Sequence, residues 1–289
     1  MKTLVEPAYA KLNLTLDILG RRDDGYHDLR MVMQSVSLCD QVALTRTGSQ
    51  DITLATDWGF LPTDRKNIAY AAAEAFGAAT GVELRGLSIK LEKHIPVCAG
   101  TAGGSSDGAA VLRGLNKLYE TGLTLEQLAK IGEQVGSDVP YCVLGGTMLA
   151  EGRGEILTRL PPLPPCHIVM CKPGFAVSTP ELYHRVDSIK MRCHPDAAGM
   201  LKALEEGDLS GVARRMYNVF EDALPAQRAG TVREIRNTLI EYGALGACMS
   251  GSGPTVFGIF SQKEEAAQAA EHLKTLYQET FLVEPVSAM

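Results

Sequence analysis

The chain has 289 residues, 45% of them hydrophobic and 21% charged, with a formal net charge of −6. This is a globular composition, long enough for one large domain or two sharing a cleft. The acidic balance argues against a general binder of nucleic acid or of membrane surfaces. Seven cysteines, an odd number without any Cys-x-x-Cys pair, read as reduced thiols rather than a disulfide framework or a zinc site. With no signal-peptide pattern and no apolar run of bilayer-spanning length, the expectation is a cytoplasmic enzyme.

In chain order, residues 8–19 alternate and predict a half-buried strand. Ala10, Leu12, Leu14, Leu16 and Ile18 fall on its apolar face, and Lys11, Asn13, Thr15 and Asp17 on its polar one. A turn at residues 21–25 leads to a second strand over 31–44, and residues 51–55 continue the β-rich opening. Asn67 starts an alanine-rich helix over 68–79 that Gly81 stops. Residues 87–91 alternate as a strand, and the apolar positions of 108–119 have helical spacing. Thr124 and Gln127 form a capping-box pair for a helix over 125–135, which Gly136 ends. Four prolines within residues 160–165 mark a boundary and divide the chain into 1–160 and 161–289. Beyond it come a strand at 168–171, helices at 200–209, 211–220 and 231–242, β structure on both sides of Gly251-Ser252-Gly253-Pro254, and a last helix at 264–277. Strands and helices mix without regular βαβ alternation, so the expected class is α+β with two lobes.

The central chemical signal is Gly100-Thr101-Ala102-Gly103-Gly104-Ser105-Ser106, between a predicted strand and a predicted helix. Glycines let successive N–H groups curl inward, and the following helix adds its positive N-terminal dipole, so a phosphate is stabilised there. Ser105 and Ser106 add donors, and Ser106 is placed to help hold a nucleotide-bound metal ion. The loop is neither a Walker A motif nor a dinucleotide fingerprint. Taken alone it also reads as a tight strand-to-helix turn with serine caps. Lys11 is either a solvated strand lysine or a charge-stabilising group. Asp138, in Gly136-Ser137-Asp138-Val139-Pro140, is either a helix-start carboxylate or a proton acceptor for a substrate hydroxyl. Tyr26-His27 either closes a hairpin or clamps a nucleobase. The loop around Gly251 and Ser252 is either a β-turn or the far wall of an anion site.

Together and in this order these features resemble the GHMP kinase family. Three blocks carry the resemblance: Pro7-Ala8-Tyr9-Ala10-Lys11-Leu12-Asn13-Leu14, Pro96 through Asp107, and Ser250-Gly251-Ser252-Gly253-Pro254. The resemblance covers nearly the whole chain. It implies a two-lobed fold with the active site in the cleft between lobes, and ATP-dependent phosphorylation of a small-molecule hydroxyl with ATP and Mg²⁺. Pro96, Val97, Cys98, Ala99, Gly100, Thr101, Ala102, Gly103, Gly104, Ser105 and Ser106 would form the ATP phosphate loop, with Asn67 near the adenine. Asp138 would be the base and Lys11 would sit beside it; the protein ligands of Mg²⁺ are left unassigned. The strings Asp24-Gly25-Tyr26-His27 and Gly152-Arg153-Gly154-Glu155 resemble the branch that phosphorylates the 2-hydroxyl of a cytidine diphosphate-linked methylerythritol in the non-mevalonate isoprenoid pathway. On that reading Tyr26 and His27 recognise the cytosine, and Tyr183 stacks on its other face. Asn13 contacts the polar chain, and Gly251 and Ser252 line the substrate site. Homoserine- or mevalonate-type acceptors, and a non-catalytic nucleotide sensor, are the alternatives. Neither nucleic acid nor membrane is an expected partner, and monomer and homodimer are both left open. Two residues depart from the family pattern: Thr101 where Leu is expected, and Gly108 where Ala is usual.

Overall fold

In the computed structural model, which describes residues 3–189, 191 and 193–287, two long strands form the spine of the first sheet. β1 (Thr3–Arg21) and β2 (His27–Arg46) pair antiparallel from Thr3↔Thr45 to Arg21↔His27. β3 (Thr53–Thr56) runs parallel to β4 (Leu87–Glu92), and β4 pairs with the second half of β2. β5 (Thr147–Gly152) pairs with the first half of β2 and carries β6 (Ile156–Arg159) on its outer edge. Four helices belong to this lobe: α1 (Ile68–Thr80), α2 (Gly103–Leu118), α3 (Leu125–Gly132) and α4 (Val139–Leu144). α2 lies on β1 and β2 and packs against α1, α3 and α4.

The second lobe is built on β7 (His167–Lys172), β9 (Gly246–Met249), β10 (Val256–Phe260) and β11 (Glu279–Val283), antiparallel in the order β11-β7-β10-β9. The two-residue strand β8 (Tyr217–Asn218) crosses instead to the first sheet, parallel to β1 at Thr15 and Leu16. α5 (Thr179–Ser188) packs on a 3₁₀ turn, Val219–Ala223, that touches β1. α6 (Ala197–Glu205) packs on α7 (Leu209–Arg214), while α8 (Ala226–Glu241) and α9 (Lys263–Leu276) cover the second sheet. This is the two-lobed α+β architecture expected from the residues. No helix among the described residues is long and apolar enough to cross a membrane.

Four expectations change in the structure. β1 is not half-buried: Lys11, Asn13, Thr15 and Asp17 are buried along with the apolar positions, because both of its faces are covered. Nor do its apolar residues share one face. An extra residue between Asn13 and Thr15 bulges the strand and reverses its alternation. Ala10, Leu12 and Leu14 join the core of β7 and β10, whereas Leu16 and Ile18 join the core under α1 and α2. The predicted helix at 211–220 ends at Arg214, because Asn218 turns its side chain onto the backbone: it accepts from Phe220 N at 3.0 Å and donates to the carbonyls of Met249 and Gly251, each at 2.8 Å. Finally, α2 begins at Gly103, five residues earlier than its apolar spacing suggests. Gly108 therefore lies inside a helix, against α1: a Cβ there would come 2.8 Å from Ile68 Cγ2.

Candidate active site

The path from β4 into α2 alternates in hand, with Cys98 at φ +52°, Gly100 at +76° and Ala102 at +58°. Non-glycine residues in this region cost roughly 1–3 kcal/mol each and persist only where the surroundings impose them. The surroundings here are the second glycine loop. A Cβ on Gly100 would lie 2.1 Å from Ser250 O, and one on Gly251 would lie 2.9 Å from Gly100 O. Ser250 Oγ donates to Gly100 O at 3.0 Å and accepts from Asn13 N at 3.1 Å, while Thr255 N donates to Ala99 O at 3.3 Å. One serine thus ties β1, the first glycine loop and the second into a single unit.

The first backbone bond of α2 runs from Ser106 N to Ala102 O at 2.9 Å. The amides of Gly103, Gly104 and Ser105 precede it, and the N-cap, Ala102, has no side-chain acceptor to offer them. Among the described residues these three N–H groups have no partner, and with the helix dipole they make a start suited to an anion. Ser106 is buried and donates its hydroxyl to Tyr9 O, which ties the start of α2 to β1 and leaves the oxygen lone pairs uncommitted.

Lys11 is fastened to this loop by its own amide, which donates to Thr101 O at 3.1 Å. Its ammonium donates to Asn13 Oδ1 at 2.6 Å and stands 3.8 Å from Asp138 Oδ2. Asn13 is fully buried, and its Nδ2 faces Met31 Sδ at 3.3 Å. Asp138 occupies the N-cap of α4 without making a side-chain cap bond, and its side chain keeps 34% exposure. The carboxylate is not used to start the helix. One turn on, burial and then the Asp138 charge push the Cys142 thiol up to about 12, which keeps it inert.

The glycine loop borders a cleft of about 640 Å³ lined by Pro96 through Ser105, by Asn67 and Ile68 at the start of α1, and by Val177–Pro180 and Ser252 from the second lobe; Lys11, Asn13 and Asp138 are not part of its lining and reach it only through the loop. The volume lies in the range of small-molecule and cofactor sites. Ser252 Oγ and Thr179 Oγ1 close one edge at 2.8 Å. Asn67 faces the cleft, but its side chain is occupied as the cap of α1, accepting from Ala69 N at 3.0 Å and donating to Pro62 O at 2.8 Å. A larger cavity, about 730 Å³, lies between Gln34, Arg159 and the 284–287 segment and contains none of the expected site residues.

Beneath the loop, Lys93 is buried between Asp40 and Asp107, and Asp40 also accepts from the amides of His94 and Ile95. Desolvation would lower the Lys93 ammonium, but the two carboxylates outweigh it and hold it above its usual value. The Asp107 carboxyl is pushed up to about 7, by burial first, against the pull of Lys93 and with the push of Asp40. This triad went unseen in the sequence because a lysine at the end of an alternating strand reads as solvent-facing.

A separate aromatic group stands beside Asp138, whose charge, after burial, raises the Tyr183 phenol to about 12. His27 stacks directly on Tyr183, centroids 4.6 Å apart and planes 18° apart, and Phe220 meets Tyr183 edge-on at 5.1 Å. Tyr26 points outward at 57% exposure, with the Arg153 guanidinium 5.1 Å from its ring centroid. The structure therefore gathers Tyr26, His27 and Tyr183 in one neighbourhood, but it leaves no gap for a base between His27 and Tyr183.

Residues 67–146 match the GHMP kinases N terminal domain and residues 200–279 match the GHMP kinases C terminal domain. A 4-diphosphocytidyl-2-C-methyl-D-erythritol kinase of Alkaliphilus metalliredigens is 44% identical over 99% of this chain and 98% of its own length. One from Listeria monocytogenes is 43% identical, covering 97% of this chain and 95% of its own. The crystal structure of a 4-(cytidine 5'-diphospho)-2C-methyl-D-erythritol kinase superposes with a TM-score of 0.81 at 33% identity, over 98% of this chain and 99% of that one. The homoserine kinase of Cytophaga hutchinsonii shares the fold at a TM-score of 0.76 and 19% identity, over 100% and 96% of the two chains. An uncapped helix start facing a two-lobed cleft, together with likeness along the whole chain, gives one conclusion: this chain belongs to the GHMP kinase family and is an ATP-dependent kinase of small-molecule alcohols.

Proposed function

We propose that this chain transfers the γ-phosphoryl group of ATP to the 2-hydroxyl of 4-diphosphocytidyl-2-C-methyl-D-erythritol. The observation that carries the reading is the attachment of Lys11 to the phosphate loop through Thr101 O, which puts its ammonium 3.8 Å from a carboxylate with no capping duty. The amides of Gly103, Gly104 and Ser105 hold the nucleotide's phosphates, with Asn67 along the adenine side of the cleft. Asp138 takes the proton as the acceptor O–H bond breaks and the O–P bond forms, and ADP departs. Lys11, steadied by Asn13, offsets the negative charge gathering between acceptor and phosphate. Phosphoryl transfer asks mainly for such positioning and charge neutralisation.

Mg²⁺ fits this donor set as an ion arriving with the nucleotide. Thr101 Oγ1 is buried without a partner in the wall of the cleft, and among the described residues no group of three or more His, Cys, Asp or Glu side chains is placed to cage a metal. Thr101 and Ser105 would face the ion, with nucleotide oxygens and water completing its shell, and it would neutralise charge on the phosphates.

The base end supports a cytidine-bearing acceptor. Tyr26 offers an exposed ring backed by Arg153, and His27, next to it in the chain, stacks on Tyr183; Ser252 lines the phosphate-loop cleft, with Gly251 packed on Gly100 behind it. The test is ATP consumption with the purified cytidylated acceptor alongside homoserine and mevalonate. Turnover on the cytidylated compound alone supports the reading, and turnover on homoserine or mevalonate without it overturns the choice.

A further inference from the structure

One acidic side chain touches the proposed base-recognition group from the other lobe. Asp187, on the last turn of α5, accepts from His27 Nε2 at 2.7 Å and lies 3.7 Å from the Arg21 guanidinium of β1. The His27 ring is held at one edge and on one face. Its Nε2 is bound to Asp187, one face is covered by Tyr183, and Phe220 braces Tyr183 from the edge. The remaining ring nitrogen, Nδ1, makes no hydrogen bond among the described residues. The Asp187 carboxylate is held below its ordinary value, first by the hydrogen bond from His27, with added pull from His27, Arg21 and His184 against desolvation. It is therefore ionised throughout the neutral range and can only accept.

A carboxylate that only accepts fixes the tautomer of its histidine. The proton of the neutral imidazole must sit on Nε2, which leaves Nδ1 as an acceptor. A base edge that meets Nδ1 must then bring a donor. Cytosine has one in its exocyclic amine; uracil presents a carbonyl oxygen at the same place, and two lone pairs would face each other. Resting on the acceptor assigned above, we propose that Asp187 is a positioning residue that, through His27, makes the enzyme select a cytidine-bearing over a uridine-bearing acceptor. Asp187 does not itself touch the substrate. It supplies the asymmetry that a histidine free to exchange tautomers would lack, because such a ring accepts from one base and donates to the other.

The test compares the wild type, Asp187→Asn and Asp187→Glu in steady-state kinetics, with cytidine diphosphate-linked methylerythritol and its uridine analogue as acceptors. An amide at 187 either accepts from or donates to the ring, so the tautomer is no longer imposed. In Asp187→Asn, KM for the cytidylated acceptor should rise about tenfold, the size of one lost discriminating hydrogen bond, and the preference over the uridylated analogue should fall by a similar factor. KM for ATP and kcat should stay near wild type, and Asp187→Glu should restore most of the preference. An unchanged preference in Asp187→Asn, or an equal rise in KM for both acceptors, would overturn the proposal and leave Asp187 a structural tie between lobes. Failure of the wild type to use the cytidylated acceptor would remove the functional reading itself, and the proposal with it.

Discussion

Asp138→Asn removes a charge while leaving the start of α4 intact, since the carboxylate makes no cap hydrogen bond there. The amide cannot take a proton from an acceptor hydroxyl. The expected outcome is a fall in kcat of about 10²–10⁴ with nucleotide affinity nearly unchanged, read by steady-state kinetics beside a nucleotide titration. Near-normal turnover would show that Asp138 is not the base. Gly100→Ala tests the loop instead. The φ of +76° alone costs a non-glycine residue roughly 1–2 kcal/mol, and the added methyl would sit 2.1 Å from Ser250 O, so one loop must move off the other. Both a lower urea midpoint and loss of nucleotide binding are expected, whereas Gly104→Ala, whose methyl would meet Ile68 Cδ1 at an ordinary 3.4 Å, should keep the fold.

At the scale of elements, the Lys93 cluster joins β2, the end of β4 and α2, and it titrates. The folded protein holds a proton on Asp107 that the unfolded chain releases between the ordinary 3.8 and about 7. The resulting stabilisation is full below the lower value and is lost as pH rises through the upper one. Urea midpoints measured from pH 4 to 8 should show this decline in the wild type and a flatter profile in Asp107→Asn; parallel profiles would exclude Asp107 as the source. The same elements show what was legible beforehand. α1 announces itself by its Asn67 cap and Gly81 stop, and α3 by its Thr124/Gln127 box, because these are local contacts between near neighbours in the chain. β8 and the 3₁₀ turn behind it were not legible: Val212, Ala213, Met216, Val219 and Phe220 mimic a helix, and only the long-range bonds of Asn218 to the second glycine loop break it. α5 does carry a local signal, Ser178 with Glu181 three residues on and Pro180 in the first turn, but the helix is short and Ser178 reads equally as part of a loop. At the site, Lys11, Asp138 and the glycine loop stood out by residue type. Asn218 and Asp187 act through partners 31 to 160 residues away in sequence and leave no local pattern, and Ser250, with partners 150 and 237 residues away, showed only as the first residue of the second glycine block.

Across the whole molecule, the site exists only because two lobes meet. β1 is sandwiched between two cores, and its bulge between Asn13 and Thr15 lets one strand serve both, which is why its polar residues are buried where the lobes meet. We propose residue 160 as the division between the lobes' domains: it precedes the proline-rich run that separates β6 of the first sheet from β7 of the second. On the proposed function, this junction delivers a phosphoryl group from ATP to one alcohol on a cytidylated acceptor. Phosphorus NMR of the wild-type reaction tests it most directly. A single new phosphomonoester on the 2-hydroxyl of cytidine diphosphate-linked methylerythritol, forming in step with ADP, is the predicted result; ADP appearing without that product, or phosphate appearing on another hydroxyl, would contradict it.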